Sequence, residues 1–164
     1  KSPALHFKNL IDQSGLWQGK ISLNRGEYLV HQGEINDKLY FIEQGAIRVY
    51  TVIEEVEHTI RLGYSQNFIG AMDSFFHGQA SDLNLEALKS TKVLWVGKEK
   101  FMEWIFGDSN RLKLWIQSTE FLVITSFERE KDLLISDPKM RLERVLKRSP
   151  QAFQEIPDKY IGSN

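Results

Sequence analysis

Not one cysteine occurs among the 164 residues, which excludes structural disulfides, thiolate-held iron–sulfur clusters and cysteine-ligated zinc. No apolar run is long enough for a signal peptide or a membrane span, so the expectation is a soluble, cytoplasmic protein. Neither sign of charge dominates: 21 Lys and Arg stand against 22 Asp and Glu, a formal net charge of −1. Any contact with a polyanion therefore has to come from a local patch. The four histidines, His6, His31, His58 and His77, form no HxH pair of the kind a metal-binding jelly roll needs, and no metal site is expected. Nucleophile-elbow (GxSxG), dinucleotide (GxGxxG) and phosphate-loop (GxxxxGKS/T) patterns are all missing, so an enzyme is not expected.

What is present reads as a folded globular chain. Hydrophobic residues make up 41% of it and aromatics 12%, too many for disorder. Residues 4–18 place Leu5, Leu10, Ile11 and Leu16 near helical spacing before the breaker Ser14-Gly15, which predicts a short helix and a turn. A β region follows. Leu29, His31 and Gly33 fall in one alternating stretch, and Leu39 to Ile42, Ile47 to Val52, Thr59 to Leu62 and Val93 to Val96 supply β-branched and aromatic runs between turn residues. Strands at this spacing predict a sandwich or jelly roll.

From Lys98 the period turns helical, with Gly107-Asp108-Ser109 as punctuation, and an uninterrupted helix of about 40 Å is expected from about Asn110 to about Ser136. Its apolar residues lie on two sides. Leu112, Ile116, Thr119, Val123, Ser126 and Leu133 form one seam, and Leu114, Phe121, Ile124 and Ile135 another. A helix apolar on two sides needs two partners, here the chain's own β region and the same helix of a second copy, so a homodimer is expected. Asp137-Pro138 marks the next boundary, a cap and a first helical residue. The expected organisation is thus a β-roll over 1–108, a long helix over 109–136 and a further unit from 137 to 164.

The segment LVHQGEINDKLYFIEQGAIRVYTVIEEVEHTIRLGYSQNFIGAMDSFF resembles the effector-binding β-roll of the Crp/Fnr (cyclic-AMP receptor) family of transcription regulators. In that family HQGE opens a turn, LYFIEQGAIRVY forms two strands about a glycine, and NFIG enters the phosphate-binding cassette. The closing segment PKMRLERVLKRSPQAFQEIPDKYIGSN resembles the start of the family's winged helix-turn-helix domain, so 137–164 is expected to be a truncated N-terminal part of it, lacking the recognition helix. The resemblance implies a mainly β fold with flanking helices: a double-stranded β-helix (jelly-roll) cyclic-nucleotide-binding-like domain, a long dimerisation helix, and DNA as the partner of a full-length form. Two other roles remain open: a regulatory cyclic-nucleotide-binding domain of another signalling protein, and a dimerisation-only competitor without DNA-binding activity.

The cassette departs from the family's pattern. After FIG, relatives that bind cyclic AMP carry a Glu for the ribose hydroxyl and, later, Arg-Ser or Arg-Thr for the ring phosphate. Here those positions are Ala71 and Ser81-Asp82. Both gripping side chains are missing, and Asp82 repels an anion. The resemblance places a small-molecule effector among Ile69, Gly70, Ala71, Met72, Ser81 and Asp82, with Thr119 and Ser126 facing it from the long helix and Arg61 as a substitute positive charge. For Arg61 the alternatives are a solvated strand residue and an ordinary ion pair with Glu57 or Glu86. The effector is expected not to be cyclic AMP, and the alternative is a cassette packed shut by Met72, Phe75 and Phe76; no other cofactor is expected. The triplet Glu54, Glu55 and Glu57 reads as a solvated hairpin tip. Arg141, Arg144 and Arg148 recur on one helical face with Lys159 beyond, a set that reaches DNA phosphates or forms a plain charged surface.

Overall fold

The computed structural model describes residues 3–148. A first helix, α1 (Pro3–Ser14), leads into eight strands: β1 (Gly19–Leu23), β2 (Tyr28–Val30), β3 (Lys38–Gln44), β4 (Ala46–Ile53), β5 (Val56–Tyr64), β6 (Phe68–Ile69), β7 (Asn84–Ala87) and β8 (Thr91–Gly97). A short helix, α2 (Met72–His77), interrupts them between β6 and β7. Three helices close the described chain: α3 (Lys98–Phe106), α4 (Ser109–Leu133) and α5 (Pro138–Arg148).

The strands form two four-stranded antiparallel sheets, ordered β1-β8-β3-β6 and β2-β7-β4-β5. This is the expected jelly roll with flanking helices. The period of two along β3 explains how it serves two cores. Tyr40 and Ile42 face the interior between the sheets beside Val93 of the neighbouring β8, with Ile47, Val49 and Leu85 of the other sheet opposite. Leu39, one step out of phase, faces the helices instead, in a second core with Phe7, Ile11, Phe75, Val96, Phe101 and Ile105. That second core is rich in aromatic edges: Trp115 of α4 meets Phe7, Phe75 and Phe101 at ring centroid distances of 6.3, 6.4 and 5.1 Å.

The turn between β3 and β4 depends on Gly45, whose φ is +113° and beside which the Cα of Thr91 would lie 2.6 Å from any added Cβ. Both the dihedral and the close approach require glycine. At the β4–β5 tip, Glu54 and Glu55 both have positive φ (51° and 67°), the two-residue turn that matches strand twist in a hairpin. These two glutamates are the solvated tip expected from sequence. Glu57 is exposed as well, and its carboxylate takes the Arg48 guanidinium at 2.7 Å.

Helix α4 is capped by Asp108, whose carboxylate accepts from the Asn110 N–H at 3.0 Å. Its first turns, through Leu112, Leu114 and Trp115, pack on the second core. Leu112 is therefore partly covered by its own β-roll, unlike the rest of the seam to which the sequence assigns it. Beyond Trp115 the helix leaves that core. Ile116, Phe121, Val123, Ile124, Phe127 and Leu133 are all at least half exposed, Phe121 to 67%. Helix α5 begins as the Asp-Pro pair predicts, with Asp137 accepting from the Lys139 N–H at 3.0 Å.

Candidate effector site

The cassette follows directly from the sandwich. Ile69 is buried in the intersheet core, and a side chain on Gly70 would meet the Lys38 carbonyl at 3.1 Å. Ala71, with no exposed surface, accepts from the Phe75 N–H at 2.9 Å. Met72 joins the second core. These four residues point into packed protein, and the Glu that relatives place at position 71 has no room to stand free.

Asp73, a residue that sequence reasoning passed over, organises what lies opposite. Its carboxylate accepts three hydrogen bonds: from the Ser74 N–H at 2.8 Å, from the Ser81 hydroxyl at 2.7 Å and from the Asp82 N–H at 2.8 Å. Burial pushes its pKa up, but the Asp82 N–H, the Ser81 hydroxyl and the Ser74 N–H outweigh that and hold it below the ordinary carboxylate value. The donors on the 81–82 turn that could meet an incoming anion already hold an internal one. Asp82 itself is exposed, and its backbone rather than its side chain is what the cassette uses.

The HQGE turn locks the same segment from the other side. The Gly33 N–H donates to the Ser81 carbonyl at 2.7 Å and the Ser81 N–H to the Glu34 carbonyl at 2.8 Å. Glu34 in turn accepts from the His31 N–H at 2.9 Å. The Ser74 hydroxyl ties α2 down, donating to the Gln79 carbonyl at 2.6 Å and accepting from the Asn36 N–H at 2.9 Å. A groove of about 600 Å³ does exist between α1, α3 and the start of α4, but His6, Ser14, Trp104 and Arg111 line it and no cassette residue does.

Arg61 takes neither acidic partner the sequence offers. It donates to the Phe68 carbonyl at 2.9 Å, while Glu57 is held by Arg48. Burial, and secondly the neighbouring Arg129 guanidinium, lower its pKa to about 10. Arg129 reaches across from α4 to the carbonyl of Ile60, the residue before Arg61. The hydroxyls of Thr119 and Ser126 turn back onto their own helix, donating to Ile116 at 2.8 Å and Leu122 at 2.9 Å. Neither is aimed at the cassette.

The arginines of α5 differ from the expected DNA-facing set. Asp132, buried on α4, accepts from Arg144 at 2.6 Å and from Arg148 at 2.7 Å. Arg141 donates to the Ile135 carbonyl at 3.0 Å. On the same helix, buried Val145 and its neighbour Leu142 pack against Ala46, Leu62 and Leu88 of the β-roll. The Arg144 and Arg148 guanidiniums thus fasten α5 to α4, because the buried Asp132 carboxylate requires such partners. Lys159 lies outside the described residues. Among the described residues no group of His, Cys, Asp and Glu is placed to hold a metal, and no helix is long and apolar enough to cross a membrane.

Asp73, Arg129 and Asp132 carry no sequence signal of their own. Each matters through a partner that only the fold brings near: eight or nine residues away for Asp73, on another element for the other two.

No curated protein sequence matches the chain. Solved structures share its fold. The catabolite activator protein of Thermus thermophilus aligns at a TM-score of 0.63 and 22% identity, covering 80% of this chain, which spans 61% of that protein. The N-terminal domain of a transcriptional regulator from Streptomyces coelicolor A3(2) aligns at 0.60 and 18%, covering 84% of this chain and 96% of that one. The c-di-GMP-responsive global regulator CLP of Xanthomonas campestris aligns at 0.63 and 14%, covering 91% and 73%. At the level of sequence families, the cyclic nucleotide-binding domain matches residues 20–108, more than half of the chain. This protein, with its two-sheet roll, interrupting α2 and long α4, belongs to the cyclic nucleotide-binding domain family.

Proposed function

We propose that the chain is the effector-sensing part of a dimeric, cytoplasmic Crp/Fnr-type transcription regulator whose effector is not cyclic AMP. The observation that carries this reading is the Asp73 carboxylate. It occupies the Ser81 and Asp82 donors, so the roll keeps its family's shape while the phosphate grip is filled from within. Helix α4 supplies the second element of the reading, since an apolar face from Ile116 to Leu133 is what a parallel copy of the same helix would cover. The solved structures of like fold include a catabolite activator and a c-di-GMP-responsive regulator, and a regulator of transcription is the role such a roll and helix support.

In this reading an effector acts by shifting α4 against its partner helix, and α5, fastened to α4 through Asp132, carries the shift onward. DNA is contacted in a full-length form, and base readout needs a recognition helix that is not part of residues 3–148. A thermal-shift panel of cyclic nucleotides and small anionic metabolites tests the proposal. A compound that raises the melting temperature and alters hydrogen exchange along α4 and α5 supports it. A panel in which nothing stabilises the protein or alters that exchange counts against effector sensing.

A further inference from the structure

The groove between α1, α3 and the first turns of α4 encloses about 600 Å³ and is used by neither the cassette nor the apolar seam of α4. That volume suits a small molecule, whose sites combine apolar cover with a few polar groups that fix orientation. Its lining has both. Leu10, Trp104 and Leu114 are half-buried, while His6, Lys113 and Gln117 are exposed. The bonds already made around the groove show which donors are left. The Trp104 indole N–H is spent on the Ser14 hydroxyl at 2.8 Å, and that hydroxyl donates to the Leu10 carbonyl at 2.9 Å. The Arg111 guanidinium lies over the Trp104 ring, 4.9 Å from its centroid, and its Nε donates to the Trp104 carbonyl at 2.7 Å. Its plane is therefore held in place. Asp108 is the one carboxylate in the lining. One of its oxygens caps α4 through the Asn110 N–H, and the other stands 3.6 Å from Arg111 Nη1, too long for a hydrogen bond. Among the described residues Arg111 Nη2 and Lys113 Nζ form no hydrogen bond or ion pair. Arg111 and Lys113 against Asp108 leave one positive charge in excess.

We propose that this groove is the effector site and that its ligand is a small monocarboxylate with an apolar body. The inference rests on the effector-sensing reading and names the place and the chemistry of its ligand. A carboxylate meets a guanidinium in a matched fork, and a single negative charge balances the excess without crowding Asp108. The apolar body is covered by Leu10, Trp104 and Leu114, and removing that surface from water supplies the remaining affinity. The place differs from the cassette, where the Ser81 and Asp82 donors are taken by Asp73. It also has a route outward. His6 and Leu10 belong to α1, Trp104 to α3, and Arg111, Lys113 and Leu114 to α4. A ligand that joins them draws the first turns of α4 onto α1 and α3, and the exposed seam from Ile116 to Leu133 moves with the same helix.

Calorimetry with hydrocinnamate as the probe, at constant ionic strength balanced with chloride, tests the site in the whole chain. Saturable binding is expected for the parent protein and for Lys92→Gln, whose lysine lies on β8 outside the groove. Acetate, which lacks the body, and hydrocinnamyl alcohol, which lacks the charge, should each bind at least about tenfold more weakly. Arg111→Gln should weaken hydrocinnamate at least about tenfold, the loss of one charged hydrogen bond. Leu10→Glu sets a second carboxylate in the groove and should weaken it as much, and Lys113→Gln should act in the same direction. Circular dichroism reports whether each variant folds, and Leu10→Glu with Lys113→Gln carries the test if Arg111→Gln does not. No saturable heat up to about 10 mM hydrocinnamate, or equal affinity in the parent and the groove variants, overturns the proposal, as does the alcohol or acetate binding as tightly as hydrocinnamate. Failure here with another compound stabilising the protein removes this site and leaves effector sensing intact. Binding that leaves hydrogen exchange along α4 unchanged overturns the groove as the effector site.

Discussion

The Ser81 hydroxyl donates to the Asp73 carboxylate at 2.7 Å, while the Asp82 N–H reaches its second oxygen at 2.8 Å. Ser81 is buried and cannot reorient to bulk water. Asp73→Asn keeps the shape but turns an amide NH2 toward one of these donors, so a donor faces a donor. The expected loss is about 1–2 kcal/mol in urea denaturation, the low end for charged hydrogen bonds because Asp73 is partly open to solvent. The same contacts give a pH dependence. Because the folded pKa lies below the ordinary value, the stabilisation is complete above that ordinary value and is lost as pH falls through the folded one. The parent should lose stability on acidification through that window more steeply than Asp73→Asn, and equal slopes would remove Asp73 from the account.

Cyclic AMP should bind poorly. A charged hydrogen bond to phosphate is worth about 1.5–3 kcal/mol, and the Arg and Glu of the family's grip are absent at Ser81 and Ala71. Affinity should therefore fall two or more orders of magnitude, roughly from micromolar towards millimolar. Restoring the two side chains is not expected to rescue it. In Ala71→Glu/Ser81→Arg the new guanidinium pairs with Asp73, and the new carboxylate enters a position with no exposed surface. Rescue needs Asp73→Gly as well. Calorimetry on the double and triple variants separates these outcomes, and micromolar binding by the parent would show that the cassette is not filled from within.

The strands that sequence made legible are those with long β-branched runs. β3, β4 and β8 each carry apolar residues in both phases of the period of two, because each packs on more than one layer, whereas β5 carries them in one phase, at Val56, Ile60, Leu62 and Tyr64. β6 has two residues and β7 reads Asn-Leu-Glu-Ala, too little pattern to distinguish from loop; the ladder to β3 and β4 makes them strands. α2 was equally hidden, since MDSFFH spans fewer than two turns and its apolar pair fits a loop as well. At the site, the missing Glu and Arg are plain in the sequence, as absences are. That Asp73 fills the gap is not, because it depends on α2 turning its second residue toward the 81–82 turn, eight and nine positions later. The arginines of α5 show the opposite failure. Their spacing suggests a free basic face, and the buried Asp132 that absorbs two of them lies on another helix.

The exposed face of α4 should make the chain a dimer. Ile116, Val123, Ile124 and Phe127 would otherwise leave a contiguous apolar stripe in water. Val123 is 54% exposed, so Val123→Glu is tolerated by the monomer fold and places like charges together only where two copies meet. Sedimentation at micromolar concentration should show a dimer for the parent and a monomer for Val123→Glu. A monomeric parent would leave the stripe without this explanation.

Asp132 should control whether α5 stays on the β-roll. Its side chain has no exposed surface and its two oxygens are held by arginines twelve and sixteen residues along the chain. Burial pushes its pKa up, and Arg148 and Arg144 more than reverse that, leaving it below the ordinary carboxylate value. The contact is therefore complete above that value and weakens as pH falls through the folded one. Asp132→Asn removes the charge at every pH and is expected to cost about 1–2 kcal/mol, discounted because both arginines are partly solvated. The loss should be local, since Val145 and Leu142 are the residues that then leave Ala46, Leu62 and Leu88. Hydrogen exchange should rise across 138–148 while β3, β4 and β8 stay protected. Uniformly faster exchange in the roll as well would mean that Asp132 supports the whole fold, and unchanged exchange in α5 would mean that the apolar contact alone holds it.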